Sequence, residues 1–460
     1  MQQQQQAIAI PSELSTTNSS IDDDDDARSY ESSYSSHSNM SDQVKNHNKL
    51  KRQDSWLQHK KHFFILSSAG KPVWTRYGDE SRLSSLMGII QAIISFFEDS
   101  DDTIKLDRSI NAGNHKFVFL LKEPLYFVSV SRTGESSAQI RDQLLNLHNQ
   151  ILSVLTSVQL TRIFEQRINF DLRRLLGGTE VFLDSLSTLF NNDHSFMLGA
   201  LQCLRLSRSV RDQVGAILTE KKVKHLLYAM VVADGRLVTL LRPRKHSLHP
   251  SDLHLLFNML TGSTTFHTAE SWTPLCLPKF NSKGFLHAYI SYIERGISMV
   301  VISTDKNNFF EIREWKSSIV EAMQGKEILS SIREHSDRLY SVEDIQIPNL
   351  LHFMYKSKVH IQFTTPDFTG PFVNNGDRRR LYRLYQHVYD RMHSRTKPLK
   401  LYYINSDKEI VLGWITSSFE LYVVFPCDTA KQQIISSSNQ LLRWIKKNEE
   451  NLFILNAPVF

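Results

Sequence analysis

The chain has little cysteine: Cys203, Cys276 and Cys427 are its only three in 460 residues, and none forms a CxxC pair. Neither a disulfide framework nor a cysteine-based zinc site is expected, and a reducing cytoplasm fits best. Long apolar runs are missing too. The most apolar stretch, LMGIIQAIISFF at 86–97, falls short of the roughly 20 residues that span a bilayer, and no basic-then-apolar signal pattern opens the chain. Membrane contact is therefore expected to be peripheral. GxGxxG, GxSxG and HExxH are all absent, which removes the common nucleotide-binding, hydrolase and metalloprotease signatures. Gly70-Lys71 fails as the end of a P-loop, because Ile65 stands where the first glycine belongs and Pro72 where a magnesium-binding hydroxyl belongs. HSLHPSDLH gathers His246, His249, Asp252 and His254, but Pro250 splits the group, so loop and capping roles are expected there, with no metal and no cofactor.

Charge of one sign is not concentrated either. Residues 1–55 hold 9 Asp and Glu against 5 Lys and Arg, a net −4 within the chain's +6, which leaves +10 for the rest. That diffuse excess suits an anionic membrane surface or an acidic protein face and does not point to nucleic acid. At 41% hydrophobic and 22% charged, the chain is long enough for two to four compact units.

What is present is a repeat. After a Gln-, Asp- and Ser-rich segment at 1–55, expected to be disordered and either merely solvating or regulatory, one order of elements recurs three times from Trp56. It is a strand pair, an amphipathic helix, three strands and a closing helix. In the first pass HFFILSS and VWTRYG form a hairpin turned at Gly70, SSLMGIIQAIISFFED is a helix, and a long helix is predicted from about Ala138 through Glu165, with a helical tail to about Val214. The second pass starts at HLLYAMVVADGRLVTLLRP, the third near Leu351. The units expected are 1–55, 56–215 with its helical extension, 216–330, a polar linker at 331–348, and 349–460. The fold class is α/β in the broad sense, more narrowly α+β, each unit a five-stranded, mainly antiparallel sheet with flanking helices.

Two features stand apart. In the helix after the hairpin, Leu86, Ile90, Ile93 and Phe97 make one apolar stripe while Met87, Ile89, Ile94 and Phe96 occupy much of the remaining circumference. One face can cover its own sheet; the other calls for a partner subunit or a neighbouring domain. Arg242, Arg244 and Lys245 crowd a strand-to-helix loop, and Arg378, Arg379 and Arg380 open a helix, where cations oppose the dipole. Both clusters read either as solvated surface or as binding sites for a phosphoinositide headgroup or an acidic protein patch.

The element order is that of a longin-type (roadblock-related) domain. HFFILSSAGKPVWTRYGDE at 62–80, RPRKHSLHPSDLHLLFNML at 242–260, LHFMYKSKVHIQFTTPDF at 351–368 and LFILNAPVF at 452–460 resemble the SAND, or Mon-one, family from about Lys60 to Phe460. The resemblance implies three longin domains and no covalent catalysis. It implies a subunit that acts with a Ccz-one-like three-longin partner as a guanine-nucleotide exchange factor for late-endosomal Rab seven, joined in animals by a third subunit. It further implies recruitment by Rab five and phosphatidylinositol 3-phosphate to early and late endosomes, lysosome or vacuole. On this reading Ile89, Ile90, Ile93, Ile94 and Phe97 meet the partner longin or the GTPase. Trp74, Tyr77, Asp79 and Glu80 lie at the strand end, either touching the GTPase or serving as packing and cap residues.

Overall fold

A computed structural model describes residues 59–78, 84–99, 109–263 and 265–460. The expected disordered segment 1–55, together with Asp79 and Glu80, lies outside the described residues, as does the side chain of Phe97.

In the first unit β1 (Lys61–Ser67) and β2 (Pro72–Thr75) form the hairpin, Gly70 taking the left-handed conformation in its turn. Helix α1 (Ser84–Asp99), β3 (Ser109–Ala112), β4 (His115–Lys122), β5 (Leu125–Ser131) and α2 (Ser137–Val154) follow. The sheet order is β2-β1-β5-β4-β3, so the hairpin lies at one edge. Alternation along β1 sends Phe63 and Ile65 to one face and Phe64 and Leu66 to the other. The first pair meets Ile140, Leu144 and Leu147 of α2, and the second meets Met87, Ile90 and Ile94 of α1.

The single long helix expected from Ala138 to Glu165 is two helices. Leu155 leaves the helical region, and the Thr156 side chain caps α3 (Ser157–Gln166) by accepting from the Gln159 N–H. After α3 come α4 (Glu180–Asn192), the short strand β6 (Leu201–Gln202) and α5 (Arg208–Glu220).

The second unit contains β7 (Leu226–Ala233), β8 (Arg236–Leu241), α6 (Pro250–Gly262), β9 (Ser271–Leu277), β10 (Ser282–Glu294), β11 (Ile297–Ser303), α7 (Phe309–Gly325) and α8 (Ile328–Asp337). Its sheet runs β8-β7-β11-β10-β9, the same topology as the first. Ala229, Val231 and Ala233 face α5, α7 and α8, while Tyr228, Met230 and Val232 face α6.

The third unit contains β12 (His352–Ser357), β13 (Gln362–Thr364), α9 (Asn375–Met392), β14 (Leu401–Asn405), β15 (Glu409–Ile415), β16 (Phe419–Pro426) and α10 (Lys431–Lys447). Its sheet has six strands rather than five, because β6 pairs parallel to β13 through Leu201 and Gln202. Gly413 in β15 lets α9 come close, since a Cβ there would collide with Met392 Sδ and stand 2.7 Å from Val388 Cγ1.

The 331–348 stretch is not a solvated linker. Ile332 of α8 is buried in the second core, and Tyr340, Val342, Ile345 and Ile347 are buried in the third beside α10. Its charges are numerous, but the apolar residues between them are spaced to plug two cores, which charge density alone conceals.

Candidate functional site

Each sheet has one helix inserted after its opening hairpin: α1, α6 and α9. In α6, Leu253, Leu256, Met259 and Leu260 cover the second sheet. Its opposite side is also buried: Leu255 joins the first core, Asn258 donates to Gln150 Oε1 (2.9 Å) and to the Phe182 carbonyl (2.8 Å), and His254 Nε2 bonds the Ala200 carbonyl (3.0 Å). In α9, Leu381, Tyr385 and Val388 cover the third sheet. Opposite them, Tyr382 OH donates to the Phe190 carbonyl (3.0 Å), and Gln386 Nε2 donates to Glu135 Oε1 (3.1 Å). The first domain's own helices thus cover the backs of α6 and α9.

Nothing among the described residues does this for α1. Ile90 and Ile94 are 0% exposed and belong to the inner face, as does Met87; each such side chain contributes about 1.5–3 kcal/mol of burial. On the outer face Gly88, Ile89, Ala92 and Ser95 are exposed, Ile89 at 58%, with Ile93 half-buried at the margin. No charged residue occurs between Ser84 and Phe97, whereas a solvated helix face normally carries charge. Small residues flanking one exposed isoleucine allow a second backbone to approach closely.

Of the sequence-derived interface residues, Ile89 therefore lies outward and Ile93 sits at the margin, packed partly against the inner core, while Ile90 and Ile94 are corrected to core positions because their angular position faces Phe64 and Phe119. Of its two readings Trp74 takes the packing one: it is 3% exposed, on the α2 side of the sheet. Tyr77 stacks on His59 at 3.6 Å and lies beneath Arg76, whose guanidinium reaches Thr188 Oγ1 (2.6 Å) and Asp184 (3.4 Å) on α4. That bundle pins the end of β2 to the helical extension.

In the basic loop Arg244 and Lys245 are exposed, and Arg242 is half-buried. The Arg242 backbone pairs with the chain's end, its N–H bonding the Pro458 carbonyl (3.1 Å) and its carbonyl accepting from Phe460 N–H (3.3 Å). The second basic cluster divides. Arg378 donates to the Phe372 carbonyl (2.9 Å) and stacks over Phe368, while Arg380 pairs with Asp377 and the buried Glu409. These two are corrected from lipid candidates to anchors of the α9 N-terminus. Arg379 lines a cavity of about 80 Å³ between the first and third domains, together with His59, Tyr77 and Arg383.

The histidine-rich stretch has local roles. His249 Nδ1 accepts from Ser251 N–H as the cap of α6, and the buried Asp252 accepts from the Lys279 and Phe280 N–H groups (3.0 and 2.9 Å). Burial pushes the Asp252 carboxyl up to about 6 despite those donors. Among the described residues no group of three or more His, Cys, Asp or Glu is arranged to hold a metal, and no helix is long and apolar enough to cross a membrane.

The sequence reading missed Glu135. Its buried carboxylate accepts from Lys61 Nζ (2.7 Å), Thr133 Oγ1 (2.5 Å), Gln143 Nε2 (2.6 Å) and Gln386 Nε2 (3.1 Å). Burial works to raise its pKa, but the Lys61 charge and these donors outweigh that and hold it below the ordinary carboxylate range. Only a lysine inside the apolar run KHFFILS hinted at a buried counter-charge.

Three sheets sharing one five-strand order, the third extended by β6, each sandwiched between an inserted helix and a closing helix, define a protein of three longin domains. Family models described as the first, second and third Longin domain of FUZ, MON1 and HPS1 match residues 61–186, 224–321 and 349–449. Over 410 residues the chain is 43% identical to "Vacuolar fusion protein MON1 homolog A" of Gallus gallus, covering 88% of this chain and 74% of that one. It is 41% identical to "Protein SAND" of Takifugu rubripes (88% and 78% covered). It is likewise 41% identical to "Vacuolar fusion protein MON1" of Cryptococcus neoformans (86% and 65%). The chain belongs to the MON1/SAND family.

Proposed function

We propose that this protein serves vacuole fusion, the role printed in its relatives' names, and endosome maturation, as one subunit of a heteromeric guanine-nucleotide exchange factor. Its partner is a Ccz-one-like longin protein and its substrate GTPase is late-endosomal Rab seven. The observation that carries the reading is the outer face of α1. The equivalent faces of α6 and α9 are buried within the chain, whereas Gly88, Ile89, Ala92 and Ser95 remain open and uncharged, as a subunit interface requires. Exchange needs no bond to be made or broken. It needs a surface that binds the nucleotide-free GTPase better than the loaded one, so that differential affinity lowers the barrier to GDP release. The exposed Arg244 and Lys245 support peripheral recruitment to anionic membrane bearing phosphatidylinositol 3-phosphate, with Rab five and a third subunit as further partners.

The test is release of fluorescent GDP from Rab seven with this chain alone, with the Ccz-one-like partner alone, and with both. Acceleration only by the pair is expected. Binding of the loaded GTPase with an unchanged off-rate would instead make the protein a longin-based adaptor or tether.

A further inference from the structure

The second and third domains meet over a cleft of about 490 Å³, and three arginines, Arg205, Arg236 and Arg338, line it. Buried guanidinium groups are ordinarily satisfied by carboxylates or carbonyls. This junction contains one such case. Arg211, buried beside the cleft, donates to the carbonyls of Val238, Glu450, Phe453, Leu204 and Asn451 at 2.8–3.3 Å.

Arg236 differs. Its guanidinium is largely withdrawn from solvent, which lowers its pKa, and its Nε is buried with no hydrogen-bond partner. Among the described residues no carboxylate comes within ion-pair distance of it. Asp234 accepts from Ser336 Oγ (2.5 Å), Asp367 from Phe368 N–H (2.8 Å) and Asp193 from Ser195 N–H (2.8 Å), so the nearest acids are engaged elsewhere. Arg205 lies over the Tyr340 and Trp444 rings at 5.2 and 5.8 Å, a stacking that fixes the plane of its guanidinium. Arg338 is exposed at the mouth. His335 bonds the Ser331 carbonyl through Nδ1 (2.8 Å), which turns its Nε2 away from its own helix. Glu334 and Asp344 also line the cleft, both exposed, and Asp344 accepts from Ser341 N–H.

We infer that this cleft binds a phosphate monoester, its dianion held by Arg236 with Arg205 and Arg338 closing over it. Planar guanidinium groups match the phosphate fork bidentately, and Arg236 has neither an ion-pair partner nor an acceptor for its buried Nε among the described residues, so its charge lacks a direct partner within the fold. The two acidic residues limit the charge the site accepts, which favours one phosphate over several. The volume exceeds that of a bare ion and falls within the range of small-molecule sites, so the phosphate sits on a body of sugar or polyol size. A soluble sugar phosphate and a lipid headgroup share this chemistry.

The full chain is titrated calorimetrically at constant ionic strength with myo-inositol 1-phosphate and glucose 6-phosphate. Separately, it is sedimented with phosphatidylcholine vesicles with and without phosphatidylinositol 3-phosphate. Saturable binding of a soluble ester identifies a metabolite as the source, and binding only to the phosphoinositide vesicles identifies a headgroup; either supports the site where it is lost with Arg236 and kept when Arg244 and Lys245 are replaced. Arg236→Gln is expected to weaken that binding about tenfold to a hundredfold, the loss of charge-assisted hydrogen bonds, with Arg236→Lys intermediate. In the ligand-free state Arg236→Gln should melt no lower than the parent, since it removes a buried charge without a partner. Absence of binding in both formats, binding indifferent to Arg236→Gln, or a ligand-free variant that melts lower would overturn the inference. So would Arg236-dependent binding of an Asp-rich peptide with no response to the esters, which would make the cleft a protein-docking site.

Discussion

Gln386 Nε2 donates to Glu135 Oε1 at 3.1 Å, joining residues 251 positions apart and fastening α9 of the third domain to the turn that opens α2 in the first. A return bond from Gln139 Nε2 to the Gln386 carbonyl (2.9 Å) doubles the link. The buried Lys61–Glu135 pair is therefore the centre of a network that spans two domains.

Removing one side of that pair leaves the other charge buried and alone. Glu135→Ala is expected to destabilise the protein by about 3–5 kcal/mol, whereas adding Lys61→Met should recover most of the loss. A double-mutant cycle in urea measures the difference; equal damage from the single and double variants would deny the coupling.

Acid should weaken the fold before its carboxylates titrate, Asp252 excepted, whose raised carboxyl takes up its proton in the folded state near pH 6 and offsets part of the loss. Burial, with the His194 charge acting in the same sense, lowers His352 to about 3; burial lowers His194 to about 4 against the pull of Asp193. Their stabilising contribution is complete above the ordinary value of 6.5. It falls from there toward the folded values, because the unfolded chain takes up protons that the folded one refuses, by about 1.4 kcal/mol per pH unit for each histidine. Glu135, lowered instead, loses its contribution only below the ordinary carboxylate range. Urea midpoints between pH 7.5 and 5 should show the slope, and His352→Asn should reduce it by one proton's worth.

Adjacent isoleucines of α1 should behave oppositely. Ile89→Asp keeps the inner face and is expected to change stability by less than about 0.5 kcal/mol while abolishing co-purification with the proposed Ccz-one-like partner. Ile90→Asp places a carboxylate against Phe64 and Phe119 and should cost more than about 4 kcal/mol. Retention of the partner by a folded Ile89→Asp protein would remove this face from the interface.

Gly413→Ala is a minimal enlargement with a definite obstacle. The new methyl group meets Met392 and Val388, so a loss of about 1–3 kcal/mol is expected from overpacking, read as a lower melting temperature. Met392→Ala in the same chain should relieve part of it.

Reversing Arg244 and Lys245 to Glu should weaken sedimentation with anionic vesicles at least tenfold, given about 1 kcal/mol per cation near such a surface. Raising the salt should shrink the difference between parent and variant.

Much of the fold was legible because its signals are local. Alternation along HFFILSS, the Asp234-Gly235 turn and the Pro250 helix start each determine a few residues, and the threefold recurrence of their order reveals the architecture. The site was legible only in part. A helix apolar around most of its circumference calls for cover on more than one face, but does not say which isoleucine meets the sheet; Ile90 and Ile94 were separable from Ile89 only once the sheet fixed the helix's rotation. The Glu135 network was invisible, since Lys61, Gln143 and Gln386 are each unexceptional until folding joins them. The 331–348 stretch misled for the opposite reason: its charges are conspicuous, and the residues that position it are the few apolar ones between them.

The short strand β6 makes synthesis order matter. Leu201 and Gln202 flank the third sheet, while the adjoining Cys203 and Leu204 bridge to Leu237 at the edge of the second. During translation this segment emerges long before residues 362–364, and it can engage the second sheet well before the third exists. The last sheet then closes against a strand already held in place, so a ribosome-bound chain stalled before β13 would display an unfilled docking edge, the kind of exposed edge that invites chaperones or misassembly. Duplication of a single module does not by itself produce this arrangement; the splice between sheets belongs to the three-domain chain as a whole.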